Sequence, residues 1–209
     1  MQMKRHLKAI LASAAALATL SACATVPRAG PAEVTRFVAP AATAQLGQGT
    51  IFIETAPGLG NSGMEMAAYK AAVARELAAQ GYRETSRAEA DQVAQVSLER
   101  VVNEPLTGRR GPVSVGVGGS TGSYGSGVGV GVGINLGGGG PKDVVTTRLG
   151  VMIRDKAAGT SLWEGRAGFF ADTRNDLAQP ARSADALADA LFEGFPGRDG
   201  ETIEVDLPE

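Results

Sequence analysis

Histidine and cysteine each occur once in this 209-residue chain, as His6 and Cys23. Everything after residue 23 therefore lacks both imidazole and thiol. That absence excludes Ser/His/Asp and Cys/His catalysis from a downstream fold, together with zinc held by histidine or cysteine. It also excludes an internal disulfide, so packing alone must stabilise the domain even in an oxidising compartment. Aromatic residues are scarce, at 5% of the chain, with Trp163 the single tryptophan. Concentrated positive charge is missing too. The formal net charge is −2, and the tightest basic pair, Arg109 and Arg110, sits beside Gly111 in loop-like sequence. A polyanion needs a clustered basic face to release its counterions, so nucleic acid is not an expected partner.

What is present begins at the N-terminus. Lys4, Arg5 and Lys8 precede an apolar run from Ala9 to Leu20, the proportions of a signal-peptide core and too short to span a bilayer. Leu20, Ser21, Ala22 and Cys23 then read as a lipobox, in which the cysteine thiol becomes a diacylglycerol thioether and the new N-terminus. The competing reading is an ordinary secretory signal that happens to end beside a cysteine. On the lipobox reading residues 1–22 are a lipoprotein signal peptide and Cys23 is the lipidation site. The membrane is then a partner through the N-terminal anchor, because several acyl chains make attachment effectively permanent. Ala24 follows, where the inner-membrane retention signal of enterobacteria resembles an aspartate. The expected location is the outer membrane, facing the periplasm. Removing Lys4, Arg5 and Lys8 from the 20 basic residues leaves 17 against 22 acidic ones, a mature net charge of −5.

Residues 23–33 carry Pro27, Gly30 and Pro31 and read as the lipidated N-terminus with a flexible tether. A single domain is expected over residues 34–197. Thr35 to Val38 and Thr50 to Glu54 are short β-rich runs. Met66, Tyr69, Val73 and Leu77 recur at helical spacing, predicting a helix from about Gly63 to Gln80, capped by Asn61 or Ser62 and closed by Gly81. Gln92 to Val102 alternates, with Ala94, Val96, Leu98 and Val102 on one side. Val145 to Ile153 repeats the pattern, and Trp163, Ala167 and Phe169 share a face on the following run. Asp155 to Gly159 joins these two as a hairpin. A second helix follows Pro180, with Leu187, Leu191 and Phe192 on one side, and stops at Gly194, Pro196 and Gly197. The fold class expected is α+β, a mostly antiparallel sheet with two main helices packed on one face. Residues 198–209 read as a loose acidic tail.

Between 111 and 140 nearly half the residues are glycine, which is costly in backbone entropy if ordered. Val128, Val130, Val132, Ile134 and Leu136 alternate with small residues, and Val113, Val115 and Val117 echo them. Four readings compete. A phosphate cradle lacks both GxxxxGK[ST] and GxGxxG. A membrane segment is interrupted by Ser120, Thr121, Ser123 and Ser126. An edge hairpin over Gly127 to Leu136 preceded by a mobile connection, or a partly disordered loop, accounts for the rest.

The order of parts resembles the lipoprotein family called domain of unknown function 4136. The parts are the lipobox, Ala88 to Asp91 before a strand, a glycine-rich insert, Leu162-Trp163-Glu164-Gly165-Arg166-Ala167 in a hairpin, and a last helix ending at Phe195-Pro196. The resemblance implies an α+β periplasm-facing lipoprotein with no catalytic residues to carry over. Trp163 fits a binding anchor less well than a core or sheet-edge position. Asp172, Asn175 and Asp176 match no calcium loop. Asp185 and Asp189 lie one helical turn apart and mark an exposed face rather than an acid/base pair. No catalytic, cofactor or metal residue is assigned. The expected function is a non-catalytic envelope lipoprotein that binds or braces an unknown envelope partner. The alternative is membrane insertion or oligomerisation through the glycine/valine segment, and an enzyme using Asp172 or Glu164 ranks last.

Overall fold

The structure, a computed structural model, describes residues 28–58, 63–103 and 143–208, together with the backbone of 113–120 and 127–134. Alternation of apolar and polar residues resolves into β1 (Ala32–Val38), β2 (Thr50–Thr55), β4 (Gln92–Asn103), β7 (Val144–Asp155) and β8 (Ser161–Asp172). A two-residue β3 (Arg83–Glu84) and β9 (Glu201–Val205) complete a seven-stranded sheet of order β3-β2-β4-β7-β8-β1-β9. The sheet is mixed. β2 runs parallel to β3 and β4, across the connection that contains the first helix, and the other pairings are antiparallel.

The helical spacing of Met66, Tyr69, Val73 and Leu77 becomes α1 (Met64–Ala79), whose buried side includes all four. Its N-cap is Gly63 with no side-chain cap bond, while Asn61 and Ser62 lie outside the described residues. At the far end Gly81 adopts φ +106°, and a Cβ there would press to 2.6 Å from the Gly47 carbonyl oxygen. Only glycine meets both demands. Pro180 opens α2 (Pro180–Phe192), which buries Leu187, Leu191 and Phe192. The two helices lie side by side, joined by the Tyr69 hydroxyl on Ser183 at 2.9 Å and by the Arg75–Asp185 ion pair. Both cover the sheet face that carries Val34, Ala94, Leu149, Trp163 and Phe169, and these side chains form one continuous core.

A charged side chain lies against that core beneath α2. Arg36 takes an inward position on β1 and is 2% exposed. Its guanidinium donates to the carbonyls of Leu191 (3.2 Å), Ala190 (3.3 Å) and Glu193 (2.6 Å), and to Glu201 Oε1 at 3.0 Å. The last carbonyls of a helix have no partner within it, and they carry the negative end of its dipole, so a buried cation is well placed there.

Three expectations change. Residues 201–205 are not a loose tail. They form β9, paired antiparallel with β1, because Ile203 and Val205 alternate with polar neighbours and pack against the core. Val102 is exposed although it shares the register of Ala94, Val96 and Leu98, because β4 runs on past the helices that cover its first half. The strand of 127–134 is not at the edge of the main sheet. As β6 (Gly127–Ile134) it pairs with β5 (Val113–Ser120), drawn from the stretch read as a connection, in a separate two-stranded sheet. Val113, Val115 and Val117 alternate as regularly as their partners, so near neighbours in sequence pair with each other.

Candidate functional site

Because both helices cover one face, the alternate residues of the central strands stand on the other, which no described element covers. Register arranges them in rows across β4, β7, β8 and β1. Gln95, Met152, Glu164 and Phe37 form one row, Ser97, Gly150, Arg166 and Thr35 the next, and Glu99, Arg148, Gly168 and Glu33 a third. β9 extends the last two with Thr202 and Glu204. The result is an open trough of about 1020 Å³ along the sheet.

The middle of its floor is shallow. A Cβ at Gly150 would run into Ser97 Oγ, and one at Gly168 would lie 3.1 Å from Arg148 Cγ. Short side chains and an arginine stem therefore pave the centre, with the exposed rings of Phe37 and Phe170 near opposite ends. Two ion pairs cross the surface, Arg148–Glu99 at 3.3 Å and Arg166–Glu164 at 2.5 Å. Glu33 and Glu204 face each other across β1 and β9, and neither has an ion pair among the described residues. Like charges directly opposite on adjacent strands destabilise a sheet.

On the covered side, the run Leu162 to Ala167 forms a packing lock. Trp163 is fully buried, stacks on Phe192 with centroids 5.4 Å apart, meets Phe195 at 5.2 Å, and donates from Nε1 to the Pro196 carbonyl at 2.9 Å. Gly165 leaves the room the indole occupies, since a Cβ there would overlap that ring and approach Leu191 Cδ1 to 2.8 Å. The tryptophan is a core residue.

That lock lies inside the stretch that decides the family. The domain of unknown function DUF4136 matches residues 44–197. The chain belongs to the DUF4136 family. The match ends short of both β1 and β9, so in this DUF4136 protein two strands of the sheet lie outside the matched span. No curated protein matches the chain. Among solved structures, a PDZ domain protein from Parabacteroides distasonis shares the fold at TM-score 0.51 and 16% identity. The alignment covers 93% of this chain and 42% of that one, so the DUF4136 chain spans less than half of that protein. PelC dodecamers from Paraburkholderia phytofirmans align at TM-score 0.43, with 15% and 13% identity, over 80% of this chain and 99% of theirs.

The remaining sequence candidates separate in the DUF4136 fold. Cys23, Arg109 and Arg110 lie outside the described residues. Glu164 and Asp172 sit eight residues apart on β8, about 26 Å at strand rise, too far to work as a carboxylate pair. Asp172 is held by Arg174 at 3.0 Å, and the Asn175 side chain accepts the Leu177 N–H at 2.8 Å to cap the turn at Asp176–Ala178. Asp185 pairs with Arg75, whereas Asp189 stands near Glu76. Burial first, and then Asp189, raises the Glu76 carboxyl above its ordinary value. Among the described residues no three acidic side chains gather as a metal site would require.

Sequence reasoning missed a buried polar cluster where the N-terminal halves of α1 and α2 meet β4 and β7. Tyr69 bonds Ser183, and both are fully buried; burial is the main reason the phenol is held above its ordinary pKa. Arg100 reaches the Ala178 carbonyl and lies 3.5 Å from Glu65. The cluster ties the helix pair to the sheet. Its signal was present in the sequence, since Tyr69 lies on the apolar stripe and Ser183 on the inner side of α2, both polar groups at core positions.

Proposed function

We propose that this protein is a non-catalytic, lipid-anchored envelope module, held to the outer membrane through Cys23, that presents its open sheet face to an extended partner in the periplasm. The observation that carries this reading is the trough, which no described element covers. An antiparallel sheet tolerates one solvated face, so openness alone says little. Glycine in a strand interior costs about 0.5–1 kcal/mol relative to alanine and commonly marks the close approach of another backbone or ligand. Gly150 and Gly168 both lie in the middle of this face. The exposed ring of Phe37 at one end, and Glu33 and Glu204, which have no ion pair among the described residues, add contact area and charge suited to an elongated partner carrying a basic group. The lipobox and the lack of imidazole and thiol beyond residue 23 supply the anchored, non-catalytic part.

The test is cross-linking in intact membranes with the wild type and with Gly168→Tyr, which fills the trough floor from a half-buried position where only the flexible Arg148 stem must shift. The reading predicts one reproducible companion that the variant loses while its circular dichroism and thermal midpoint are kept. Repeated recovery of no companion, with envelope integrity unaltered on deletion, contradicts it. So does a companion that Gly168→Tyr retains.

A further inference from the structure

Large apolar side chains left in water are not scattered over this molecule. Of the five among the described residues, Met64 (91% exposed), Val101, Val102 (53%) and Phe170 (56%) collect at one end of the sheet, and Phe37 lies elsewhere. Register and contacts fix this. Val101 pairs with Thr146, which pairs with Phe170, Val102 follows on β4, and Met64 adjoins Glu65, the partner of Arg100 on the same strand.

Two chain segments leave from that end. β4 ends at Asn103 and β7 begins at its partner Val144, so the glycine/valine segment is the connection between them. Val144 in turn pairs with Asp172, whose N–H donates to the Arg28 carbonyl at 2.9 Å, and Ala29 bridges Ala171. Residue 28 thus emerges within about two strand spacings of the root of the segment, roughly 10 Å. Five residue steps separate it from Cys23, a reach of about 18 Å at most.

The segment has the composition for the same destination. From 111 to 141 it contains no charged residue, with Arg110 and Lys142 at its two boundaries. In the β5–β6 register Val113, Val115 and Val117 stand opposite Ile134, Val132 and Val130, whereas Ser114, Gly116 and Gly118 stand opposite Gly133, Gly131 and Gly129. Register places these rows of aliphatic positions on one face of the ribbon and the serine and glycine positions on the other. The open face of the main sheet carries Glu99, Arg148 and Arg166 and offers such a row no matching surface.

We infer that this end of the sheet is applied to a phospholipid bilayer, with Met64, Val101, Val102 and Phe170 as its rim and the β5–β6 ribbon laid into the headgroup and acyl boundary. The inference rests on the anchored reading for its orientation. The ribbon lies in the boundary and does not span. Its eight-residue strands are about 27 Å long and fall short of the nine to eleven residues a tilted spanning strand needs. Two strands also leave open edges whose N–H and C=O groups have no partner in hydrocarbon. Lying flat, the aliphatic rows meet acyl chains while the edges and the glycine face stay hydrated.

The experiment uses the chain from Ala24, which has no cysteine, with an N-terminal hexahistidine held on nickel-chelating lipid in phosphatidylethanolamine/phosphatidylglycerol vesicles. A nitrobenzoxadiazole label is placed at Val130→Cys or, at the opposite end of the sheet, at Glu84→Cys. The label at 130 should be quenched several-fold more strongly by spin-labelled lipid than the label at 84, and adding Met64→Asp and Val102→Asp should reduce that difference with the fold unchanged. Equal, water-like quenching by iodide at both positions overturns the inference. So does shielding at 130 that disappears as protein surface density is lowered, which assigns the ribbon to a second copy. Because the tether replaces the natural anchor, this result is independent of whether Cys23 is lipidated, and the two claims fail separately.

Discussion

Replacing Arg36 by methionine isolates the buried charge that holds the end of α2. The side chain is 2% exposed and serves four acceptors, three of them carbonyls at the end of α2 and the fourth Glu201. Taken singly, hydrogen bonds to a charged group are worth about 1.5–3 kcal/mol each. Simple addition overshoots, because taking the guanidinium out of water costs several kcal/mol per ion. What the variant measures is the penalty of orphaned groups. Breaking a buried pair from one side costs about 3–5 kcal/mol, a large share of the 5–15 kcal/mol that a domain has in total. At about 2–4 °C per kcal/mol this lowers the thermal midpoint by roughly 6–20 °C. Urea unfolding followed by the emission of Trp163, which stacks on Phe192 beside the clamp, gives the free energy directly. Arg36→Met/Glu201→Met should be more stable than the single variant, since the carboxylate no longer lacks its partner. A single-variant cost below about 1 kcal/mol would refute the argument that the cation holds the end of α2, given typical costs for exposed substitutions.

Gly165→Ala should cost about 1–3 kcal/mol by overpacking against the indole and Leu191, and should shift Trp163 emission as the ring moves. Glu76→Gln should raise the midpoint slightly at pH 7. The folded chain binds the Glu76 proton more tightly than the unfolded chain, so the charged form is a native-state cost that grows as pH rises through and above the ordinary carboxylate range. The gain should vanish below about pH 4, where the group is protonated in both states. Glu201 has the opposite sign: its carboxyl is held low, first by the Arg198 backbone and then by Arg36, so its contribution is present at neutral pH and lost on acidification through the folded value. Glu201→Gln should therefore flatten the acid limb of the stability profile. Glu204→Gln should stabilise by about 0.2–1 kcal/mol by removing the opposition to Glu33, while weakening retention of any partner on the open face.

Where one periodicity dominated a window, the element could be read from the residues. The β7–β8 hairpin was legible from Val145 to Ile153 and from Trp163 to Phe169, and Gly159 takes the positive φ its turn requires. Both helices were legible too, with Pro180 at the first position of α2 as its fixed φ favours. The parallel placement of β2 beside β4 was not, since strand neighbours in space are chosen by tertiary packing and no residue in Thr50–Thr55 encodes them. β9 was hidden because its alternation covers five residues in an acidic stretch, and composition spoke louder than period. The open face was equally hidden. Glu33, Gly150, Gly168 and Glu204 come from four strands, and only the register collects them.

The measurement that bears most directly on the anchored-module account is the intact mass of the mature N-terminus together with membrane fractionation. The account predicts a chain beginning at Cys23, heavier than its sequence by a diacylglyceryl group and acyl chain, and recovered with the outer membrane. A chain that begins elsewhere or carries an unmodified Cys23, and that fractionates without the membrane, contradicts it.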